Sequence, residues 1–169
     1  MFQAFDNPGP AASSRRAHWM ALLARAPLPL LESALGERAA GDARWLRAPE
    51  TGLMMVQGRA GGSGERFHLG EVTVTRCALR LRVEAEDADA VGVSYIVGRS
   101  HRHVHLAAVA DALLQSPAQH AAIDAAVLEP IRAHLAQQQA QRQDRARRTK
   151  VEFFTVAREA GDSDEEDSE

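Results

Sequence analysis

Apolar positions recur at helical spacing near the start of the chain and switch to a period of two in its middle. Ser14 can cap a helix running through Arg25, with Trp19, Leu22, Leu23 and Ala26 on one face, and Pro29 can open a second short helix through Arg38. Before Ser14, Asn7-Pro8-Gly9-Pro10 lacks apolar periodicity and reads as a mobile leader. Four strands are then expected, at 43–48, 52–59, 70–83 and 90–98, with connections short enough for an antiparallel meander. The third strand changes phase. Val72 and Val74 occupy its even face, whereas Cys77, Leu79, Leu81 and Val83 occupy the odd face opposite Arg76, Arg80 and Arg82, so a bulge or sharp twist is expected near Thr75-Arg76.

Ser100 is the next candidate cap, for a helix whose stripe is Leu106, Val109, Ala110 and Leu113 and which must end before Pro117. A further helix starts near Ala118 and buries Ile123, Val127, Leu128, Ile131 and Leu135, with Pro130 either kinking or restarting it. From Gln137 to Lys150 the apolar stripe vanishes. Those fourteen positions remain helix-prone and would extend about 21 Å, an arm suited to reaching another subunit. The arm leads into Val151-Glu152-Phe153-Phe154-Thr155-Val156, where two adjacent phenylalanines left in water would be an aggregation hazard, so this segment is read as a docking element. The expected fold class is α+β: an antiparallel sheet of about four strands flanked by N-terminal helices and a C-terminal helical arm. One domain over 14–160 and disordered ends over 1–13 and 161–169 complete the expected organisation.

A chain of 169 residues can bury roughly 68% of its unfolded surface, so no disulfide or metal is needed for a core. Its single cysteine, Cys77, falls in an expected strand and reads as a buried, inert thiol rather than a nucleophile, which suits a reducing cytoplasm. No segment approaches the ~20 apolar residues of a membrane span, and no secretory leader is evident. The net charge of −3 is concentrated at one end: with the six acids between Asp162 and Glu169 set aside, the remainder carries +3. That acidic end is expected to be disordered.

Candidate chemistry is sparse. The run Arg59-Ala60-Gly61-Gly62-Ser63-Gly64-Glu65-Arg66-Phe67 places three glycines in four residues between two strand-like segments, so it is read as a hairpin tip. A plain turn, close backbone packing on a partner and phosphate contact are all open to it, and Glu65-Arg66 could form a local ion pair. It lacks the Lys-Ser/Thr ending of a phosphate-binding loop and leads into a strand where a dinucleotide fingerprint needs a helix. His101, His103 and His105 suggest a metal cluster until they are placed on a helix, where His101 and His105 share a face and His103 points away. Arg76 and Arg99 each close an apolar strand, from which an arginine can reach an anionic ligand, a partner carboxylate or an ordinary salt bridge. The basic run Arg142, Arg145, Arg147, Arg148 and Lys150 could meet nucleic-acid phosphates, but with 5% aromatic residues no stacking motif interleaves with it, and a solvated arm or an acidic subunit is favoured. No complete catalytic constellation is visible, and no cofactor is expected in this chain.

The strings ETGLMMVQGR (50–59), GGSGERF (61–67), GEVTVTR (70–76) and VEFFTVAR (151–158), in that order, resemble the PhnG family of small subunits of the bacterial carbon-phosphorus lyase system. His18-Trp19-Met20, Gly98-Arg99 and His103 extend the resemblance over most of the chain, while His101, His105 and the acidic extension after Arg158 depart from it. The resemblance implies an accessory subunit, without catalytic residues of its own, of a complex that replaces the adenine of ATP by an alkylphosphonate. ATP is then a substrate of the complex. It also implies cytoplasmic partners, chiefly PhnI with PhnH and PhnJ, and neither membrane nor nucleic acid. Gly61, Gly62, Gly64, Glu65, Arg66, Arg76, Arg99, His103, Phe153 and Phe154 are the expected partner- or ligand-binding positions. Two rivals stand beside this reading: a metal-dependent enzyme using the three histidines, and a nucleic-acid-binding module using the basic arm.

Overall fold

The computed structural model describes residues 11–38, 43–83 and 88–149. By its internal contacts the chain divides into two compact units, residues 1–136 and 137–169. The expectations for residues 1–10, for Lys150, for the Phe153-Phe154 segment and for the acidic end lie outside the described residues.

The first unit is α+β. Helices α1 (Ala11–Leu23) and α2 (Leu28–Leu35) precede three strands, β1 (Arg44–Arg59), β2 (Arg66–Val83) and β3 (Ala88–Val97). Helices α3 (His101–Leu114), α4 (Pro117–Ile123) and α5 (Glu129–Arg148) follow, of which α5 belongs to this unit through residue 136. Ser14 is not a cap, because the helix already begins at Ala11, where two alanines favour helix after Pro10. Residues 11–13 therefore belong to α1 rather than to a leader. Pro29 does lie in the first turn of α2, where its missing N–H costs nothing.

The sheet has three antiparallel strands in the order β1-β2-β3, not four. The segments expected as two strands at 43–48 and 52–59 are one, because register shifts between Trp45 and Arg47 and between Arg47 and Glu50 absorb Pro49 at a sheet edge. Of the bulge or sharp twist expected at Thr75-Arg76, no bulge lies in β2 itself: β2 pairs with β3 without a break from Val74–Val97 to Val83–Ala88, and the irregularity beside Arg76, between Arg47–Ala78 and Glu50–Arg76, puts its extra residue in β1. The phase change has another cause. Thr75 is fully buried with Cys77, Leu79, Leu81 and Val83 on the odd face, while Val74 is buried on the opposite face. The break in β2 lies instead beside Gly70, where Val56 pairs with Gly70 but Gln57 pairs with His68, leaving Leu69 as the extra residue. Gly70 has a φ of 142°, open to glycine at little cost.

Helix α3 is the centre of the unit. Val104 and every residue from Leu106 to Leu114 are buried, because the sheet covers one side of the helix and α1, α2 and α4 pack on the others. Its backbone meets β3 directly at Gly92, where any Cβ would stand 1.9 Å from the Ala108 carbonyl oxygen. Within this apolar surround Asp111 is fully buried. Its Oδ1 accepts from Arg16 Nε (3.1 Å) and Trp19 Nε1 (2.9 Å), and its Oδ2 accepts from Arg16 Nη2 (2.7 Å) and the Val93 amide (2.9 Å). One carboxylate thus joins α1, β3 and α3, and its charge is met by a two-point guanidinium contact.

Pro130 does restart the last helix, as the second residue of α5 rather than its first. A single π turn, Asp124–Leu128, precedes it, with the Glu129 amide donating to the Asp124 carbonyl five residues back. This widened turn makes room for a ring that would otherwise meet the preceding carbonyl. Arg132 fastens it through Asp124 (2.9 Å) and Glu129 (2.6 Å). In the second unit, described residues 137–149 are all exposed and Arg147 lies 3.9 Å from Asp144, as the polar sequence requires.

Candidate functional site

Helices cover one face of the sheet only. Residues 75, 77, 79, 81 and 83 of β2 lie under α3, and register places the even positions of β2 and the odd positions of β3 on the uncovered face. Val97 is 78% exposed there. Because β3 stops opposite Val74, residues 66–73 of β2 pair only with β1 and form a two-stranded ribbon about 26 Å long. Two strands alone are marginal in water. On the face continuous with the open side of the sheet, this ribbon carries Met54, Val56, Phe67 and Val72 with Gly52, Gly58 and Gly70, and no charge. Leu69 joins that face: its side chain lies over Gly58, 2.6 Å from where a Cβ would be. Phe67 and Leu69 are 47% and 62% exposed.

The ribbon's tip is the glycine run. Ala60–Gly62 forms a single 3-10 turn in which Gly61 (φ 60°) and Gly62 (φ 81°) adopt left-handed backbone that a side chain would strain. Gly64 sits against the Ala60 carbonyl, 2.9 Å from where a Cβ would stand. Glu65 and Arg66 are exposed and form no ion pair with each other among the described residues; Arg59 closes the turn by donating to the Gly64 carbonyl at 3.0 Å.

Towards the body, the open face becomes charged. Arg76 does not stand at a strand end but mid-strand, 2.7 Å from Glu50, which also accepts from Arg47 at 2.7 Å. Hydrogen bonds from Arg76 and then Arg47 hold the Glu50 carboxyl below its ordinary pKa, and Glu50 raises that of Arg76 in return. Two guanidinium groups thus share one carboxylate. Arg80 lies 3.7 Å from Asp89 further along the same face.

A second constellation joins the strands to α3. Thr75 Oγ1 donates to the Gly98 carbonyl at 2.7 Å, so its single proton is used and it must accept from Thr51 Oγ1 at 2.9 Å. Thr51 in turn accepts from His101 Nε2 at 3.2 Å, which assigns that proton. Donation therefore runs from His101 through Thr51 and Thr75 to the Gly98 carbonyl. Gly98, with a φ of 115°, turns the chain from β3 into α3, where the Ser100 side chain accepts from the His103 amide at 3.1 Å. Arg99 between them is exposed and makes no hydrogen bond or ion pair among the described residues.

The three histidines have three destinations. His101 joins the threonines, His103 Nε2 donates to the Leu23 carbonyl at 2.8 Å, and the His105 ring lies 4.7 Å from that of Trp45. His103, the position carried by the family pattern, thus fastens α3 to α1, whereas His101, set aside in the sequence, belongs to the junction. Cys77 is buried with its thiol against the Val104 carbonyl (3.3 Å), and burial pushes its pKa up to about 12. The sequence also gave no role to Thr51, Thr75, Glu50 or the Arg16–Trp19–Asp111 cluster. Only Asp111 carried a signal, as a lone acid in the apolar run from Leu106 to Leu114.

The first unit is thus an α+β body with one sheet face uncovered by helices and a two-stranded ribbon that extends that face. Residues 14–159 match the family described as phosphonate metabolism protein PhnG, and the chain belongs to that family. It is 37% identical over 161 residues to the alpha-D-ribose 1-methylphosphonate 5-triphosphate synthase subunit PhnG of Rhizobium meliloti (strain 1021), covering 94% of this chain and 98% of the relative. Among the described residues no helix is long and apolar enough to cross a membrane.

Proposed function

We propose that the chain is an accessory subunit of the synthase that transfers the ribose triphosphate moiety of ATP to an alkylphosphonate with release of adenine, as part of organic phosphonate catabolism in the cytoplasm. The observation that carries this reading is the 37% identity over nearly the whole of both chains with a relative named as a subunit of such a synthase. The partners are then other subunits of the carbon-phosphorus lyase complex, chiefly PhnI, with PhnH and PhnJ. Reaction at the anomeric carbon calls for acids and cationic clamps around a charged intermediate, and the catalytic groups are assigned to the larger partner. This subunit contributes binding surface, with Arg99 and the Arg47–Glu50–Arg76 cluster as its candidate contacts to an anion or to a partner carboxylate. Phe153 and Phe154 add a candidate docking element at the end of the chain.

The test is release of adenine from ATP and methylphosphonate by the isolated chain, by the co-expressed complex and by the complex without this chain. Activity is expected only in the complete assembly. Adenine release by the isolated chain, or undiminished release in its absence, would refute the reading.

A further inference from the structure

The open face changes character along its length. Its outer half, on the ribbon, is apolar, with Met54, Phe67, Leu69 and Val72 on one side of the strands and Val97 beside them at the end of β3. Its inner half is cationic: Arg76, Arg80 and Arg82 project from alternate positions of β2. On this face the register sets Arg44, Arg47, Arg76, Arg80 and Arg82 with Glu50 and Asp89, five cations against two anions and a balance of +3, within a chain whose total is −3. Charge decides which occupant fits. A second copy would set one cationic half against another, or against the apolar ribbon, leaving the excess positive charge desolvated.

We propose that the open face, from Phe67 at the ribbon tip to Arg80 in the body, is the docking surface for a different protein chain that offers an apolar strip bordered by carboxylates. The inference rests on the subunit reading above and specifies its surface. Phe67, Leu69 and Met54 supply the apolar anchors, each 45% exposed or more, and the bare glycines at 52 and 70 let the partner approach the backbone of the ribbon. The inner arginines meet the partner's acids. Arg76 keeps one donor group committed to Glu50, and the excess of two guanidinium groups over one carboxylate in the Arg47–Glu50–Arg76 cluster leaves positive charge to be matched.

Co-expression of the full chain with the other subunits of the synthase, followed by measurement of subunit affinity, tests the assignment. The variants are Phe67→Ser with Leu69→Ser, Val97→Asp alone, Arg80→Glu alone, and Arg25→Ser on the helical side as a control. The isolated chain is expected to be a monomer by light scattering. Both the double ribbon variant and Val97→Asp should weaken partner binding about tenfold or more, Arg80→Glu should weaken it and flatten its salt dependence, and the control should bind as the parent does. Because Val97 lies outside the ribbon and is mostly exposed, Val97→Asp keeps the test valid should the ribbon variant melt early. Normal partner recovery by both the ribbon variant and Val97→Asp overturns the docking surface while leaving the subunit reading intact. A parent chain that recovers no partner at all overturns the subunit reading itself. A homodimer of the parent chain that the ribbon variant dissociates would assign the face to a second copy and overturn the hetero-partner.

Discussion

The two faces of β2 are written in alternate residues of one strand, yet they are under opposite rules. Thr75, Cys77, Leu79, Leu81 and Val83 sit beneath α3, whereas Arg76, Arg80 and Arg82 look outward from between them. On the covered side the buried polar groups of β2 and the acid of α3 are matched: Thr75 is used by Gly98 and Thr51, the Cys77 thiol by Val104, and Asp111 by three donor groups. On the open side large apolar groups stand in water and one carboxylate serves two cations. The difference separates what the chain needs in order to fold from the surface proposed above for a partner. Substitutions on the two faces should therefore fall into separate classes, folding on one and association on the other.

The largest effect is expected at the centre of the covered side. Asp111→Ala removes the acceptor of Arg16, Trp19 and Val93 together and leaves the Trp19 and Val93 N–H groups without a partner beneath the helices, a change that costs about 3–5 kcal/mol. Denaturant unfolding of the free chain measures it, and a loss under 1 kcal/mol would mean that those N–H groups reach water. Next comes a matched pair across the sheet. Leu79, fully buried, should lose about 2–5 kcal/mol on truncation to alanine, while Val97→Ala on the open face should stay within about 0.5 kcal/mol. Equal losses would show that the open face is folded over in the free protein and erase the contrast.

The covered side was the legible one. Its apolar positions follow the periods of 3.6 and 2, and so Trp19, Leu22, Leu23 and Ala26, the odd face of β2 and the Ser100 cap were placed correctly from the sequence alone. The misplacements have local causes. Pro49 and the residues around it read as a break between strands because a proline interrupts an interior strand; at an edge it needs only a bulge. The shift of apolar residues from Val72 and Val74 to Cys77, Leu79, Leu81 and Val83 reads as a bulge, and nothing in a one-dimensional pattern distinguishes an extra residue from a strand covered locally on both sides, as Val74 and Thr75 are. The candidate site was less legible, since its parts come from distant segments. Thr51, Thr75, Gly98 and His101 meet only once β1, β2 and the start of α3 are assembled, and each taken singly is an ordinary strand or cap residue. Arg76 was singled out, but its partner Glu50 lies 26 positions away on the edge strand.

A smaller change tests whether the threonine chain is structural. Thr75→Val keeps the volume close but leaves the Gly98 carbonyl without its donor and Thr51 without its acceptor, so a loss of about 1 kcal/mol is expected in the free chain. Thr51→Val should cost less, because the Thr75 donor to Gly98 survives and Thr51 is exposed. The reverse order would mean that the proton directions assigned along the chain are wrong.

The last and smallest effect belongs to His105, at the border between the two faces. Its Nε2 is buried without a hydrogen-bond partner, its ring rests against Trp45, and burial, followed by the nearby Arg102, lowers its pKa below the ordinary 6.5. A group that binds protons less readily in the folded state than in the unfolded one favours folding above the unfolded pKa, and that contribution is lost as pH falls through the folded value. The melting temperature should therefore decline as the pH drops below 6.5, and His105→Phe, which cannot titrate, should reduce the decline while the remaining histidines contribute as before. Comparing the slope of melting temperature against pH in the two proteins, rather than its value at any one pH, removes the cost of repacking the ring. Parallel slopes would show that the imidazole reaches water or a donor, and that His105 belongs with the exposed groups of the edge strand rather than with the core.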